Sequence, residues 1–328
     1  SDYSVKLIGE YDFVTYSASD SVLSFSRDAK ETTSKIGSQS RLALTNVGTS
    51  TMVIEGPYDA FKISKRSNPV LLKQPLTPKE NIEFKYKKDR GSTTVRLTGK
   101  HDYALYNAQE HITNYLTRTS AGSANLGVGN RLAVMNTADE AIEAYGVYDL
   151  LEVSQRSTPV TFTEKLLPGK SIELKNKATS TFSVNLTGEY DFVTYSASDS
   201  VLSIGRDVKA TISTIESQSR LALTNVGTST MVIEGSYDAF EINKRSNPVL
   251  IKQPLAPNEN IELKYKKDRG STTVYLTGKH DLAMYNAQGQ QTSYSRRTST
   301  GSASLGVGNR LAVMNAATEA IEAYGVYD

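Results

Sequence analysis

The chain repeats itself. Residues 5–94 and 184–273 are identical at 74 of 90 positions, and residues 95–149 and 274–328 at 42 of 55, all at an offset of 179 residues. The halves of that repeat are related in turn: "VRLTGKHDYALYNA" (95–108) parallels "VNLTGEYDFVTYSA" (184–197), "SRLALTN" (40–46) parallels "NRLAVMN" (130–136), and "KRSNPV" (65–70) parallels "QRSTPV" (155–160). A chain built this way folds as an array of like units, and the unit must be settled before any motif within it is read as a site. Four modules of about 90 residues result.

Each module reads as strands. "VRLTG", "RLALTN", "TMVIEG", "AFKIS", "PVLLKQ" and "NIEFKY" alternate apolar with polar residues or form short β-branched runs bounded by Gly, Pro, Asn, Asp or Ser. Proline turns in "PLTPKENIEF" (75–84), "LLPGKSIEL" (166–174) and "PLAPNENIEL" (254–263) end one strand and start the next. "TADEAIEAYG" (137–146) and "AATEAIEAYG" (316–325) have helical composition, but the aligned "VGTSTMVIEG" predicts a strand there. Seven or eight short strands per module predict an all-β fold of tandem antiparallel β-sandwiches, immunoglobulin-like or jelly-roll-like.

The motif Gly-x-Tyr/His-Asp occurs eight times: Gly9, Tyr11, Asp12; Gly56, Tyr58, Asp59; Gly99, His101, Asp102; Gly146, Tyr148, Asp149; Gly188, Tyr190, Asp191; Gly235, Tyr237, Asp238; Gly278, His280, Asp281; and Gly325, Tyr327, Asp328. The spacing near 45 suggests β-propeller blades as the alternative fold. Only alternate 45-residue segments match, however, so the module is 90 residues with the motif used twice. Glycine permits a strand to bend, a tyrosine buries its ring, and an aspartate accepts N–H groups at the bend. The motif therefore predicts sheet corners. The arginines of "RSxPV" (Arg66, Arg156, Arg245) and of "RLA" (Arg41, Arg131, Arg220, Arg310) recur as well, with the motif aspartates as expected partners.

Starting the module at "RLALTN" or "RLAVMN" predicts sandwiches at 38–108, 127–197 and 217–287. The Ser/Thr/Gly-rich stretches 109–126, 198–216 and 288–304 are then linkers. Residues 1–37 become a closing strand plus linker, and 305–328 the opening strands of an unfinished module. On this reading the chain is either an excerpt of a longer array or completes its unfinished modules with a strand from a neighbour, in which case removing residues 1–18 is expected to abolish oligomers.

Chemistry is sparse in the pattern. With 37 basic and 35 acidic residues the charges nearly cancel, so no nucleic-acid partner is expected. The basic "KYKKDRG" (85–91, 264–270) reads as a solvated hairpin. Absence of cysteine excludes disulfides and thiolate chemistry. No basic-then-apolar leader and no 18-residue apolar run appears, so membrane insertion is not expected. Two of the three histidines, His101, His111 and His280, stand where sibling modules have Tyr11 and Tyr190, so no catalytic residue, metal site or cofactor is expected. Tyr16, Tyr106, Tyr195 and Tyr285 recur on the strand that follows the motif and form the candidate glycan surface.

The strand count and the "N-x-G…P-x-x-x-I-E" pattern resemble bacterial tandem immunoglobulin-like surface modules. The resemblance implies a non-enzymatic structural protein, extracellular or on a cell surface, whose partners are other copies of itself. Multivalent binding to surface glycans is the alternative.

Overall fold

The computed structural model describes residues 1–209 and 211–328. The chain is all-β and forms two compact units, Ser1–Thr161 and Phe162–Asp328. Each unit contains two antiparallel sandwiches. Among the described residues no helix is long and apolar enough to cross a membrane.

In the first unit, the first sandwich contains β1 (Tyr3–Ile8), β2 (Tyr11–Tyr16), β3 (Val22–Ala29), β4 (Thr32–Ile36), β5 (Arg41–Asn46) and β6 (Val53–Glu55). Its sheets run β4-β1-β6 and β3-β2-β5. The second contains β7 (Leu71–Leu76), β8 (Asn81–Tyr86), β9 (Ser92–Leu97), β10 (His101–Tyr106), β11 (Ile112–Arg118), β12 (Gly122–Gly127), β13 (Arg131–Asn136), β14 (Ile142–Val147) and β15 (Leu151–Gln155). These make sheets β12-β9-β14-β7 and β11-β10-β13-β8-β15.

In the second unit, the third sandwich contains β16 (Thr161–Leu166), β17 (Ser171–Asn176), β18 (Phe182–Thr187), β19 (Tyr190–Tyr195), β20 (Val201–Val208), β21 (Thr211–Ile215), β22 (Arg220–Asn225), β23 (Met231–Ser236) and β24 (Phe240–Arg245). Its orders, β16-β23-β18-β21 and β20-β19-β22-β17-β24, reproduce those of the second. The fourth contains β25 (Leu250–Leu255), β26 (Asn260–Lys264), β27 (Ser271–Leu276), β28 (His280–Tyr285), β29 (Gln291–Arg297), β30 (Gly301–Gly306), β31 (Arg310–Asn315) and β32 (Ile321–Val326), in sheets β25-β32-β27-β30 and β26-β31-β28-β29.

Alternation sets the layers. In β18, Phe182, Val184 and Leu186 are buried while Ser183, Asn185 and Thr187 face solvent, the period of two that a half-buried strand requires. Every full sandwich mixes strands from both 45-residue segments, so the sheets are not propeller blades.

The phase of the modules differs from expectation. The motif strand β10 pairs with β13, the "RLAVMN" strand that follows it, rather than closing on the "RLALTN" strand that precedes it. The sandwiches therefore do not coincide with 38–108, 127–197 and 217–287. The expected linker 109–126 is β11 and β12, and 288–304 carries β29 and most of β30. The linker 198–216 carries β20 and β21, with residue 210 outside the described residues. These strands occupy sheet edges, where only one flank is paired, so they need few apolar residues and read as loops. A full sandwich consequently has nine strands rather than seven or eight. Residues 1–37 are not a closing strand plus linker: β1 and β2 are the central strands of their sheets. Residues 305–328 likewise supply inner strands β31 and β32 of the fourth sandwich.

A buried asparagine ties the layers together. Asn136 Nδ2 donates to Leu76 O (3.0 Å) and Glu140 O (2.9 Å), and its Oδ1 accepts from Ala138 N–H (2.8 Å). Asn225 and Asn315 repeat these bonds, and all three are fully buried with every polar atom used. Asn46 keeps its local bonds to Ser50 O and Gly48 N–H but is exposed, because no strand occupies the β7 position of the first sandwich among the described residues.

Candidate functional site

The copies of the motif fall into two kinds. Gly9, Gly99, Gly188 and Gly278 precede β2, β10, β19 and β28, where the chain leaves one sheet for the other. Tyr11 and Tyr190 are fully buried there, and burial raises the pKa of both hydroxyls. His101 and His280 take the same place, each Nδ1–H donating to the motif glycine's carbonyl, Gly99 O at 2.7 Å and Gly278 O at 2.8 Å. Burial holds the His101 imidazole below the ordinary histidine range, against the pull of that hydrogen bond. The exposed His111 sits at a turn.

The aspartates beside them differ by module. In the odd sandwiches Asp12 and Asp191 sit at β-bulges and accept the N–H of Asp28 (2.6 Å) and Asp207 (2.8 Å). In the fourth sandwich Asp281 lies 3.3 Å from the Tyr294 hydroxyl.

The second kind follows β6, β14, β23 and β32, with Gly56, Gly146, Gly235 and Gly325 near the strand ends. Their tyrosines, Tyr58, Tyr148, Tyr237 and Tyr327, are exposed or half-buried. Asp59 and Asp238 lie in turns, whereas Asp149 and Asp328 bind arginines of the preceding sandwich.

Those ion pairs belong to a junction that both units build with the same residues. In the first unit, Val14, Tyr16 and Phe25 share a buried cluster with Val70, Leu71 and the core of the second sandwich. Lys73 Nζ lies 3.0 Å from Asp12 Oδ2, Arg27 Nη1 2.8 Å from Glu143 Oε1, and Arg66 Nη1 2.7 Å from Asp149 Oδ2. Val70 N–H donates to Thr45 Oγ1 (2.9 Å), and Arg90 reaches Asp20.

In the second unit Val193 and Tyr195 cluster with Val249 and Leu250. Lys252 lies 3.0 Å from Asp191, Arg206 3.0 Å from Glu322, Val249 N–H donates to Thr224 Oγ1 (2.9 Å), and Arg245 and Arg269 reach Asp328 and Asp199. A buried carboxylate such as Asp12 or Asp191 is tolerated because a backbone N–H and an ammonium both meet it.

Two substitutions between the copies compensate. Phe25, against which Arg96 packs at 4.0 Å, becomes Ile204, while Arg96 becomes Tyr275, which stacks on Tyr324 at 5.2 Å.

The hairpin "KYKKDRG" is thus part of the junction rather than merely solvated. Gly91 and Gly270 have φ of 79° and 77°, and a Cβ there would stand 2.8 Å from Asp20 O and 2.7 Å from Asp199 O. Only glycine permits both the backbone conformation and the approach.

The candidate glycan surface is not presented. Tyr16, Tyr106 and Tyr195 are buried and Tyr285 is half-buried. Each ring is covered by a guanidinium, Arg41 at 4.4 Å, Arg131 at 3.8 Å, Arg220 at 4.3 Å and Arg310 at 4.3 Å. Burial pushes the Tyr195 hydroxyl up to about 12.

The "RLA" arginines also pass over the motif aspartates. Arg41 binds Asp20, Arg131 binds Glu83 and Glu110, Arg220 binds Glu173 and Asp199, and Arg310 binds Glu262. Sequence reasoning missed Glu83, Glu173 and Glu262, although they are the final residue of the repeated "P-x-x-x-I-E".

One strand position distinguishes the fourth sandwich. In the second, β15 pairs with β8, Leu151 opposite Tyr86 and Val153 opposite Phe84. In the third, β24 pairs with β17, Phe240 opposite Asn176 and Ile242 opposite Leu174. In the fourth, β26 is the edge of its sheet among the described residues, and a groove of ≈ 510 Å³ lies beside it, lined by residues that include Leu263, Tyr265, Val274, Leu305 and Tyr324. The equivalents of those five in the second sandwich, Phe84, Tyr86, Val95, Leu126 and Tyr145, are covered by Leu150, Leu151 and Val153.

No protein-family model matches the sequence, and a search of curated proteins finds no match.

Proposed function

We propose that this chain is a non-enzymatic structural repeat protein of a bacterial cell surface or extracellular polymer, in which sandwiches lock in pairs and copies assemble end to end. The observation that carries the reading is the junction, built twice from the same apolar cluster, three ion pairs across it, a Thr–N–H bond and an Arg–Asp contact from a glycine hairpin. Charged pairs fused to a continuous apolar core resist bending better than a flexible linker, as extension and display require. The recurring polar residues serve the scaffold: the motif histidines brace corners, and the recurring tyrosines lie under arginines.

Sedimentation and electron microscopy of the full chain test the proposal. Oligomers whose length grows with concentration are expected. A chain that remains a monomer at every concentration overturns end-to-end assembly.

A further inference from the structure

The two junctions share a frame and differ in one layer. The ion pairs, the Thr–N–H bond and the Arg–Asp contact use identical residue types at an offset of 179 in both units, so they do not distinguish the second sandwich from the fourth as a partner for the first. The layer beside them does. In the first unit Arg96 lays its guanidinium on the Phe25 ring at 4.0 Å, its Nη1 donates to Phe25 O (3.0 Å), and Phe25 meets Tyr145 edge-on with ring centroids 6.1 Å apart. In the second unit Ile204 stands for Phe25 and Tyr275 for Arg96, and Tyr275 lies flat on Tyr324, the counterpart of Tyr145, at 5.2 Å. Tyr145 and Tyr324 each also carry an arginine of the odd sandwich, Arg27 at 4.9 Å and Arg206 at 4.4 Å.

Each native junction therefore holds one pair of stacked or edge-packed rings in this layer, and a crossed pairing would miscount them. With the first sandwich against the fourth, Phe25 and Tyr275 compete for the single ring of Tyr324, and Phe25 O loses its guanidinium. With the third against the second, Ile204 leaves Tyr145 without an aromatic neighbour and Arg96 without a ring to lie on. The strand that carries residue 25 is refitted as a set. Ser26 and Ala29 of β3 become Gly205 and Val208 of β20, where a Cβ at Gly205 would overlap the Phe192 ring and stand 2.8 Å from Val208 Cγ2. These changes fit one another, on the strand and across the junction, inside a frame that does not change.

We propose that positions 25 and 96, with their counterparts 204 and 275, form a pairing key by which each odd sandwich accepts the even sandwich of its own unit and refuses that of the other unit, in the same chain or in a second copy. The key rests on the paired sandwiches of the reading above and not on end-to-end assembly. Units identical at 74 of 90 and 42 of 55 aligned positions offer each other nearly equal surfaces during folding, and misassembly between like modules is a characteristic failure of repeat proteins. Refusal comes from overfilling or underfilling one layer, so specificity is gained without altering the ion pairs that both junctions share.

The test uses the full chain, whose lack of cysteine lets an introduced pair report alone. Val70 N–H reaches Thr45 Oγ1 across the junction, so Thr45→Cys with Val70→Cys closes a disulfide in the native pairing, and Thr45→Cys with Val249→Cys closes one only when a first sandwich meets a fourth. Chains refolded in oxidising buffer are read by non-reducing electrophoresis and mass spectrometry, which separate links within a chain from links between copies. The native reporter is expected to close and the crossed reporter to stay largely open. Phe25→Ile matches the first sandwich to the fourth and is expected to raise the crossed link about threefold or more. Adding Arg96→Tyr, which rebuilds the second unit's combination in the first, is expected to remove at least about half of that gain. In chemical denaturation Phe25→Ile and Arg96→Tyr are each expected to lower the midpoint, and the double variant to recover most of the loss, whereas two merely structural roles would add. Crossed links that Phe25→Ile leaves unchanged, or single losses that add, overturn the key while leaving paired sandwiches standing. A native reporter that stays open overturns the pairing itself.

Discussion

Residues 240–245 and 61–66 differ at only two positions, Glu241 for Lys62 and Asn243 for Ser64, yet one segment is strand β24 and the other has no regular structure. Phe240 is buried against the third sandwich because β17 lies alongside to accept its ladder. Ile63 faces solvent because the first sandwich has no strand at the β8 position among the described residues. The neighbour, not the intrinsic preference of six residues, decides whether the segment is a strand. β26 has its sheet and its apolar floor, with no outer neighbour among the described residues.

The contrast is most sharply broken where the position is filled. Leu151→Asp, at a buried residue of β15, is expected to cost about 4–6 kcal/mol in chemical denaturation, since it empties a packed site and buries a carboxylate. Next comes the junction: Gly270→Ala forces a Cβ onto Asp199 O in a left-handed backbone and is expected to cost about 1–3 kcal/mol. Lys252→Ala leaves buried Asp191 with its N–H partner alone and is expected to cost about 1–3 kcal/mol, an effect suppressed when Asp191→Asn is added.

Protons give a finer probe. Tyr195 keeps its proton in the fold up to about 12 but loses it near 10 when unfolded, so the unfolded chain ionises first. Its contribution is full below the ordinary tyrosine value and is lost as pH rises through that window, on the order of 2 kcal/mol in all, read by tyrosinate absorbance and denaturation together. His101 works at the other end. Its folded pKa lies below the ordinary 6.5, so stability is full above that value and falls as acid charges the unfolded imidazole first. A His101→Asn variant is expected to flatten that acid limb. Ile63→Asp, the mirror of Leu151→Asp, is expected to shift the stability of the isolated chain by no more than about 0.5 kcal/mol.

Much of the fold was legible in the sequence. The offset of 179 residues showed repetition and period-two alternation showed strands, and Gly9, Gly99, Gly188 and Gly278 stand where the chain crosses from one sheet to the other. The phase was not legible, because a tandem repeat has no privileged starting point and only pairing, such as β10 with β13, assigns one. Edge strands β11 and β12 read as linkers because a strand paired on one flank and open to water on the other tolerates Ser, Thr and Gly. Tyr16 and its siblings read as a display because nothing local shows that Arg41, 25 residues on, closes over the ring. Asn136 and Glu83 were overlooked although both recur in every repeated signature. Recurrence of a polar residue at the end of an apolar strand is the signal that points to a buried latch.

The central claim is that the sandwiches of each unit lock in pairs through a junction of apolar residues and ion pairs. Amide hydrogen exchange at Val70 and Val249, whose N–H groups donate to Thr45 and Thr224 across the junction, tests it directly. The account predicts that both amides exchange as slowly as those of the inner strands β13 and β22, and that Lys73→Ala and Lys252→Ala speed them selectively. Val70 and Val249 amides that exchange as fast as those of exposed turns would contradict it.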